Sequence, residues 1–372
     1  MTAVAELTRG VYRGVVGATT LAALVARGRS APPDCPPRVF YGGARSGNLG
    51  GPLVKVAQLQ SVFPEHRFDF SVVYLLSNAL YLPTPVMAKL RRCGVPIVVN
   101  QNGVYFPAWY PNGYERENAR IGRALEAAEH VMFQSSFCKS CVSRFVGVEP
   151  RSSEILHNSV DTEVFTPRAP DRADHDRHPV TFLLTGKIGD GSAYRLNSAI
   201  RGLAAARKGG LDVTLDIAGH IAPGAIRETE REVAKLGVDR FVRLLGPYGR
   251  SAAPDIYRSA DAYISTTHND ACPNAVLEAM ASGLPVLHLS SGGVPELVGP
   301  HAGVSLTVPQ TFEAMPVPEP DRIAEGMAEI VARRGPMSAA ARKRAVERFS
   351  FDRWLARHAE VFSATLAKNS SL

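Results

Sequence analysis

The feature that most constrains this chain is an alternation. From residue 38 onward, short apolar runs alternate with segments whose apolar residues fall at i, i+3 and i+4. Val39–Tyr41, Val72–Leu76, Ile97–Asn100, Val131–Gln134 and Ile155–His157 read as strands. Pro52–Phe63, Leu80–Cys93, Glu115–Ala128 and Phe137–Phe145 read as the helices between them. Strands that are apolar throughout must be covered on both faces, which predicts a parallel sheet wrapped by helices.

The pattern breaks at Pro167–Pro179, a polar, charged, proline-flanked stretch that reads as a linker. It then begins again. Thr181–Thr185, Val213–Ala218, Val242–Leu245, Ala262–Ser265, Val286–Leu289 and Val304–Leu306 are the second set of strands. Leu196–Arg207, Ala225–Leu236, Ala275–Ser282 and Val294–Val298 are its helices, and a helical tail runs from Asp321 to Ala367 with an interruption near Gly335-Pro336. The expected organisation is an N-terminal extension (1–37), a first α/β domain (38–168), a linker (169–179), a second α/β domain (180–348) and a terminal helix (349–372). Ligands of open α/β sheets sit outside the carboxyl ends of the strands, so the cleft between two such domains is the expected site.

Composition removes other classes. Apolar residues make up 45% and charged residues 21% of the 372, as in ordinary globular chains. The net charge of +7 is spread along the sequence, without the single basic stripe of a nucleic-acid binder, so no nucleic-acid partner is expected. Five cysteines make no disulfide framework. Cys138 and Cys141 form C-x-x-C, but zinc would need a second pair, so they read as two reduced helix cysteines. Asp174-His175-Asp176 is formally D-x-D but sits in the linker and reads as solvated charge. No run approaches the roughly 20 apolar residues of a spanning helix. Arg9 and Arg13 precede a short apolar stretch, Gly14–Ala26, followed by Arg27 and Arg29. This imitates a signal peptide, but Glu6 and the embedded Thr and Gly residues argue against one. It reads as a helix packed on the body of a cytoplasmic protein, with weak membrane association through residues 9–29 left open.

Three segments carry chemistry. The first strand runs into a glycine-rich turn holding Asn48, Gly50 and Gly51 before a helix, where close backbone approach and free amides suit a phosphate or sugar oxygen. The second domain opens with a strand ending at Thr185-Gly186, after which Lys187 and Arg195 bracket a glycine-rich loop, two cations placed to hold a diphosphate. The third is 257–299. A strand ends in a loop bearing Asp270, then Ala271, Cys272 and Pro273 lead to a helix with Asn274 as its expected N-cap. The amides of Asn274, Ala275 and Val276 are expected to form an anion site there. Glu278, about one turn in, can accept two hydrogen bonds from a ribose diol, and Asp270 can accept from sugar hydroxyls.

This third segment resembles the donor site of the large retaining glycosyltransferase family 4, whose fold is the two-domain GT-B arrangement. The family's E-x7-E pattern stands here as Asp270-x7-Glu278, followed by "EAMASGLPV" and Gly292-Gly293-Val294-Pro295-Glu296. "ILHNSVDTEVFTP" (155–167) and "LLGPYGRSAAPDIYRSADAYIS" (244–265) resemble two further family segments. The resemblance implies a nucleotide-diphosphate-sugar co-substrate, by family frequency a UDP-sugar such as UDP-GlcNAc or UDP-Glc, with no resident cofactor and no metal required. It implies that Glu278 binds ribose, that Asp270 faces the transferred sugar, and that Lys187 and Arg195 hold the diphosphate. Gly246, Pro247 and Tyr248 match the loop beside the nucleobase, and Gly50 and Gly51 the first-domain loop near diphosphate and acceptor. It also implies a terminal helix crossing back onto the first domain.

The chain departs from the pattern in three places. The first acidic position is Asp rather than Glu. The Lys187-to-Arg195 spacing is longer than usual. Where many members carry a first-domain His, this chain has Asn100, Gln101 and Asn102, amides that orient hydroxyls but cannot act as bases. Asn48, Gln101, Asn102 and Tyr105 are therefore the expected acceptor contacts. The resemblance implies sugar transfer with retention; with no close pair of carboxylates in the sequence, front-face attack is expected, and the amides and aromatics of the first-domain loops suit a hydroxyl of a small polar acceptor such as an aminocyclitol or other precursor in antibiotic biosynthesis. The alternatives are a membrane-associated transferase acting on a lipid or cell-envelope glycan, an epimerase or hydrolase on the same scaffold, and a non-catalytic nucleotide-sugar binder.

Overall fold

The computed structural model describes residues 3–26, 36–47, 51–169 and 179–370. The chain forms two units, Met1–His157 with Asp352–Leu372, and Asn158–Phe351.

The first unit opens with helix α1 (Ala3–Ala26). It continues β1 (Val39–Phe40), α2 (Gly51–Gln60), β2 (Val72–Leu76), α3 (Thr84–Arg92), β3 (Ile97–Gln101), α4 (Tyr114–Ala127), β4 (His130–Phe133), α5 (Ser136–Phe145) and β5 (Ser153–Ile155). The sheet is parallel throughout, in the order β1-β2-β3-β4-β5. β2 and β3 are buried along their whole length, as their uninterrupted apolar runs predict. β5 lies two residues earlier than expected. Ser153 and Ile155 pair with Val131 and Phe133, and the amide of Leu156 donates to the Phe133 carbonyl as the chain leaves the sheet. The strand is polar because Glu154 sits between His130 and Arg357, 3.1 and 2.9 Å away, so hydropathy did not mark it. The Ser135 hydroxyl caps α5 by accepting from the Cys138 amide at 3.0 Å, and Cys138 and Cys141 are buried and unbridged.

The second unit holds β6 (Val180–Thr185), α6 (Tyr194–Lys208), β7 (Val213–Ala218), α7 (Pro223–Leu236), β8 (Val242–Gly246), α8 (Ala253–Arg258) and β9 (Ala262–Ser265). It is completed by α9 (Asn274–Ala281), β10 (Val286–Leu289), α10 (Val294–Val298), β11 (Gly303–Leu306) and α11 (Pro320–Phe349). Its strands are parallel in the order β11-β10-β9-β6-β7-β8. From β6 the chain adds β7 and β8 on one side and then β9, β10 and β11 on the other. Residues 158–168 pack with this unit: Val160 bridges to Ser350, and the Arg342 guanidinium donates to the carbonyls of Thr162, Phe165 and Ala281. Residues 170–178 of the expected linker, including Asp174-His175-Asp176, lie outside the described residues.

The expected interruption of the tail is a kink inside α11. Arg333 leaves helical geometry (φ −118°, ψ 19°) three residues before Pro336, whose ring crowds the preceding turn and which has no N–H to donate. A second break at Ser350, with ψ 144°, separates α11 from α12 (Phe351–Ser370). Helix α12 returns to the first unit, as the resemblance implied. Phe362 packs edge-on against Phe63 with ring centroids 5.3 Å apart. His358 is fully buried. Its Nδ1–H donates to the Trp354 carbonyl at 2.8 Å, which leaves Nε2 to accept from the Tyr74 hydroxyl at 3.0 Å.

Burial pushes His358 from its ordinary 6.5 down to about 3. Its imidazole therefore stays neutral in the fold over a pH range where the unfolded chain takes up a proton, so stability falls as pH drops below about 6.5. Each pH unit in that window removes up to about 1.4 kcal/mol. Urea unfolding midpoints near pH 7 and pH 5 are expected to show the lower value at pH 5; equal midpoints would contradict the buried neutral histidine.

Candidate functional site at the strand-order switch of the second unit

Strand order reverses between β6 and β9, and the loops leaving their carboxyl ends diverge there, which opens a ligand-sized crevice in sheets of this kind. The floor beside it is bare backbone. Gly186, Gly219 and Gly246 follow or end β6, β7 and β8 with φ of 146°, 134° and 78°. The Gly186 amide donates to the Ala218 carbonyl at 3.1 Å, and the Gly219 amide to the Gly246 carbonyl at 2.8 Å. A Cβ on Gly219 would stand 2.0 Å from the Gly186 carbonyl oxygen, so the three strand ends touch backbone to backbone and no side chain fits between them. Gly186 and Gly246 stood out in the sequence; Gly219 did not, because its requirement comes from a strand 33 residues away.

Lys187 follows Gly186 and is exposed. Arg195 is the second residue of α6, and the Thr266 hydroxyl ties that helix start to the loop after β9 by donating to the Arg195 carbonyl at 2.8 Å. The Tyr194 hydroxyl accepts from the His268 amide of the same loop at 3.3 Å. The Arg195 guanidinium lies over Gly186, where a Cβ would stand 3.4 Å from Nη2. Burial raises the Asp270 carboxyl, opposed by the Cys272 amide and the Arg195 charge.

The Asp270 loop is held from behind. Asn269 takes a left-handed conformation (φ 56°), with its Nδ2 donating to the Thr311 carbonyl at 2.7 Å. His268 donates to that same carbonyl through Nε2 at 3.0 Å, and burial lowers its pKa against the pull of that bond. A Cβ on Gly292 (φ 79°) would stand 2.5 Å from the Asp270 carbonyl oxygen, to which the Gly293 amide donates at 2.8 Å. The paired glycines of the Gly292–Glu296 motif are thus the seat of Asp270. One Asp270 carboxylate oxygen accepts from the Cys272 amide at 3.1 Å, closing the turn and leaving the other oxygen for use.

Helix α9 begins differently from the sequence expectation. Its N-cap is Pro273, and Asn274 is the first helical residue. The Asn274 side chain caps nothing; its Oδ1 accepts from Asn158 Nδ2 at 2.9 Å, and the same amide group donates to the Cys272 carbonyl at 2.8 Å. The Asn158 amide donates to Cys272 Sγ at 3.2 Å. The Val276 amide, expected to be open, is spent on the Pro273 carbonyl at 3.1 Å. The first-turn amides of Asn274 and Ala275 are left to point out of the helix end. Ala271 and Cys272 are buried beneath the loop.

Glu278 sits at the end of a hydroxyl chain that sequence reading missed. Tyr257 donates to Glu278 Oε2 at 2.8 Å. With that proton committed, the Thr185 hydroxyl donates to Tyr257 at 3.0 Å, and Tyr263 donates to Thr185 at 3.1 Å. The Tyr248 hydroxyl lies within reach of Thr185 and Tyr257 and beside Glu278. Burial raises the Glu278 carboxyl, while Tyr257 and the charge of Arg250 pull it down. Pro247 is exposed beside Tyr248.

In the first unit, Gly51 opens α2, and Asn48 and Gly50 lie outside the described residues. Gln101 is fully buried and its Nε2 donates to the Gly103 carbonyl. The Asn102 amide donates to the Ser77 hydroxyl at 2.9 Å. Tyr105 exchanges backbone bonds with the Asn118 side chain at 2.9 and 2.8 Å, and its ring stacks on Trp109 at 5.1 Å. These three residues thus gather at the carboxyl end of β3.

Residues 179–332 match the family profile described as Glycosyl transferases group 1. That segment of the second unit is similar to the group 1 glycosyl transferases. The chain is 30% identical over 217 residues to a D-inositol 3-phosphate glycosyltransferase of Geodermatophilus obscurus, an alignment covering 56% of this chain and 46% of that protein. The chain spans less than half the length of the first curated relatives it matches. Among solved structures it resembles the sucrose-phosphate synthase of Thermosynechococcus elongatus, with a TM-score of 0.64 and 18% identity over 96% of this chain and 93% of that one. It also resembles Anabaena HepE in complex with UDP-glucose, with a TM-score of 0.60 and 17% identity over 84% and 82% of the two chains. With its two parallel sheets, the chain has the GT-B fold.

Replacing Tyr257 with Phe removes the hydrogen bond that opposes the upward pull of burial on Glu278. Carbon NMR of the labelled carboxyl is expected to report a higher Glu278 pKa in Tyr257→Phe than in the parent protein. An unchanged or lower value would contradict the hydroxyl chain.

Proposed function

We propose that the protein is a retaining glycosyltransferase that moves a sugar from a UDP-sugar, such as UDP-Glc or UDP-GlcNAc, to a hydroxyl of a small polar acceptor. The observation that carries this reading is Glu278: a buried carboxylate, steadied by Tyr257 on one oxygen, at the switch point of a sheet inside the matched family segment. Its second oxygen is the natural acceptor for a ribose diol. Lys187, Arg195 and the first amides of α9 are assigned to the diphosphate, where they neutralise the charge that grows on the leaving group. These groups already supply the countercharge, so the reading gives a metal ion no task. Asp270 is assigned to the transferred sugar through its free carboxylate oxygen, and Tyr248 to the nucleobase. The donor phosphate takes the proton of the attacking hydroxyl in a front-face reaction. The UDP-glucose held by Anabaena HepE supports the donor assignment.

The acceptor is assigned to the carboxyl end of the first sheet, at Gln101, Asn102 and Tyr105. The Geodermatophilus relative is named for a phosphorylated cyclitol, D-inositol 3-phosphate, which supports a cyclitol-like acceptor such as an aminocyclitol. A second reading, a lipid-linked acceptor at a membrane surface, is favoured by α1, where Leu7, Val11, Val15, Leu21 and Val25 are exposed. No helix among the described residues is long and apolar enough to cross a membrane.

UDP release from UDP-glucose, measured with and without added cyclitols, tests the assignments. Lys187→Ala is expected to lower kcat by about 10²–10³-fold, the usual cost of one such electrostatic group. Glu278→Gln is expected to weaken UDP binding about tenfold, as charge-assisted bonds become neutral ones. Full turnover in Lys187→Ala, or unchanged UDP affinity in Glu278→Gln, would overturn the reading.

A further inference from the structure

The first unit carries a second concentration of charge, remote in sequence from the segment matched by the family. Helix α1 is fastened to the body by the Tyr12 hydroxyl, which donates to the Gly43 carbonyl at 2.8 Å, and by Arg13 Nε, which donates to the Leu80 carbonyl at 3.2 Å. Its first turns stand against the start of α4. Arg116 pairs with Glu6 at 2.9 Å, and Arg120 with the buried Glu117 at 2.6 Å. Between these helices and the loop after β2 lies a recess lined by Arg9, Arg13, Arg120, Ser77, Tyr81 and Tyr105, with the Arg120-paired Glu117 also in its wall.

Four arginines (9, 13, 116 and 120) meet two glutamates (6 and 117) here, an excess of two positive charges. Among the described residues, neither Arg9 nor Arg13 stands in an ion pair within 4 Å, and the charge of Glu117 reaches Arg13 only from farther off. Arg13 is held below its usual range by burial and by the neighbouring charge of Arg120. Crowded cations are a standing cost to the fold, and an anion seated among them removes it. Guanidinium forks match the oxygens of a phosphate, and an excess of two charges matches a phosphomonoester dianion better than a carboxylate. Ser77 also ties the recess to the expected acceptor loop, since its hydroxyl accepts from the Asn102 amide at 2.9 Å.

We propose that this recess binds a phosphoryl group, with Arg9, Arg13 and Arg120 as its ligands and the N-terminal helix as one of its walls. That the phosphate is carried by the acceptor rests on the transferase reading above; the anion site itself does not. The phosphate can belong to a soluble polyol phosphate or to a lipid headgroup. The exposed apolar residues of α1 give the second source a surface on which to lie.

Calorimetric titration of the full chain with inorganic phosphate, under saturating UDP so that the second unit is occupied, tests the site. Binding is expected, weakened about tenfold or more in Arg9→Ala, the size of one lost charge-assisted bond. It should be partly restored in Arg9→Lys and unchanged in Arg92→Ala. Arg9 is exposed, so its loss should not lower the thermal midpoint. Two arms separate the sources: glycerol 3-phosphate in solution, and phosphatidylcholine vesicles containing phosphatidic acid. Arg9-dependent binding in either arm supports the site and names its source. Absence of phosphate binding to the parent protein, or equal affinity in Arg9→Ala, would overturn it. UDP titrated alone is read separately: if UDP fails to bind while phosphate binds through Arg9, the donor assignment falls and this site stands.

Discussion

Backbone lying directly on backbone at the carboxyl edge of the second sheet is the constraint from which the rest follows. Gly219 against Gly186, and Gly292 against Asp270, leave no room for a Cβ. Those contacts bring loops from distant parts of the chain to one level and leave peptide groups rather than side chains as the floor. A flat polar floor at a strand-order switch is where a ligand with many oxygens can be gripped closely. Longer side chains at these glycines would push the Asp270 loop away from the start of α6, and Arg195 would lose the carboxylate it faces.

On that floor the two carboxylates are treated differently. Asp270 spends one oxygen on its own turn and answers to Arg195. Glu278 spends one on Tyr257 and answers to Arg250. Burial raises both, and in each the rise is opposed by its own partners rather than by solvent. The hydroxyl chain from Tyr263 through Thr185 to Tyr257 has its proton direction fixed by the carboxylate at its end, which leaves the remaining Glu278 oxygen as an acceptor alone.

Much of this was legible in the sequence, and the reasons are local. The strands are short apolar runs between turn residues, so β2, β7, β9 and β10 fall where hydropathy puts them. Asp270 and Glu278 stand at a fixed spacing across one loop and one helix turn, which a linear reading can see. What escaped is long-range. Asn158 reaches Asn274 across 116 positions, Thr311 holds a loop 42 positions away, and Tyr257 is an ordinary apolar-looking helix residue until its hydroxyl finds Glu278. The N-cap of α9 was misassigned for the same reason: Asn274 has the right chemistry for a cap, but Asn158 takes its oxygen first. β5 was displaced because its polar residues serve an ion-pair network with a helix 203 positions later.

A crystal structure of the protein with UDP bound tests the central claim most directly. The account predicts the ribose diol on Glu278, the diphosphate against Lys187, Arg195 and the first turn of α9, and the base beside Tyr248. UDP seated away from the carboxyl edge of the second sheet, or at that edge with its ribose turned from Glu278, would contradict it.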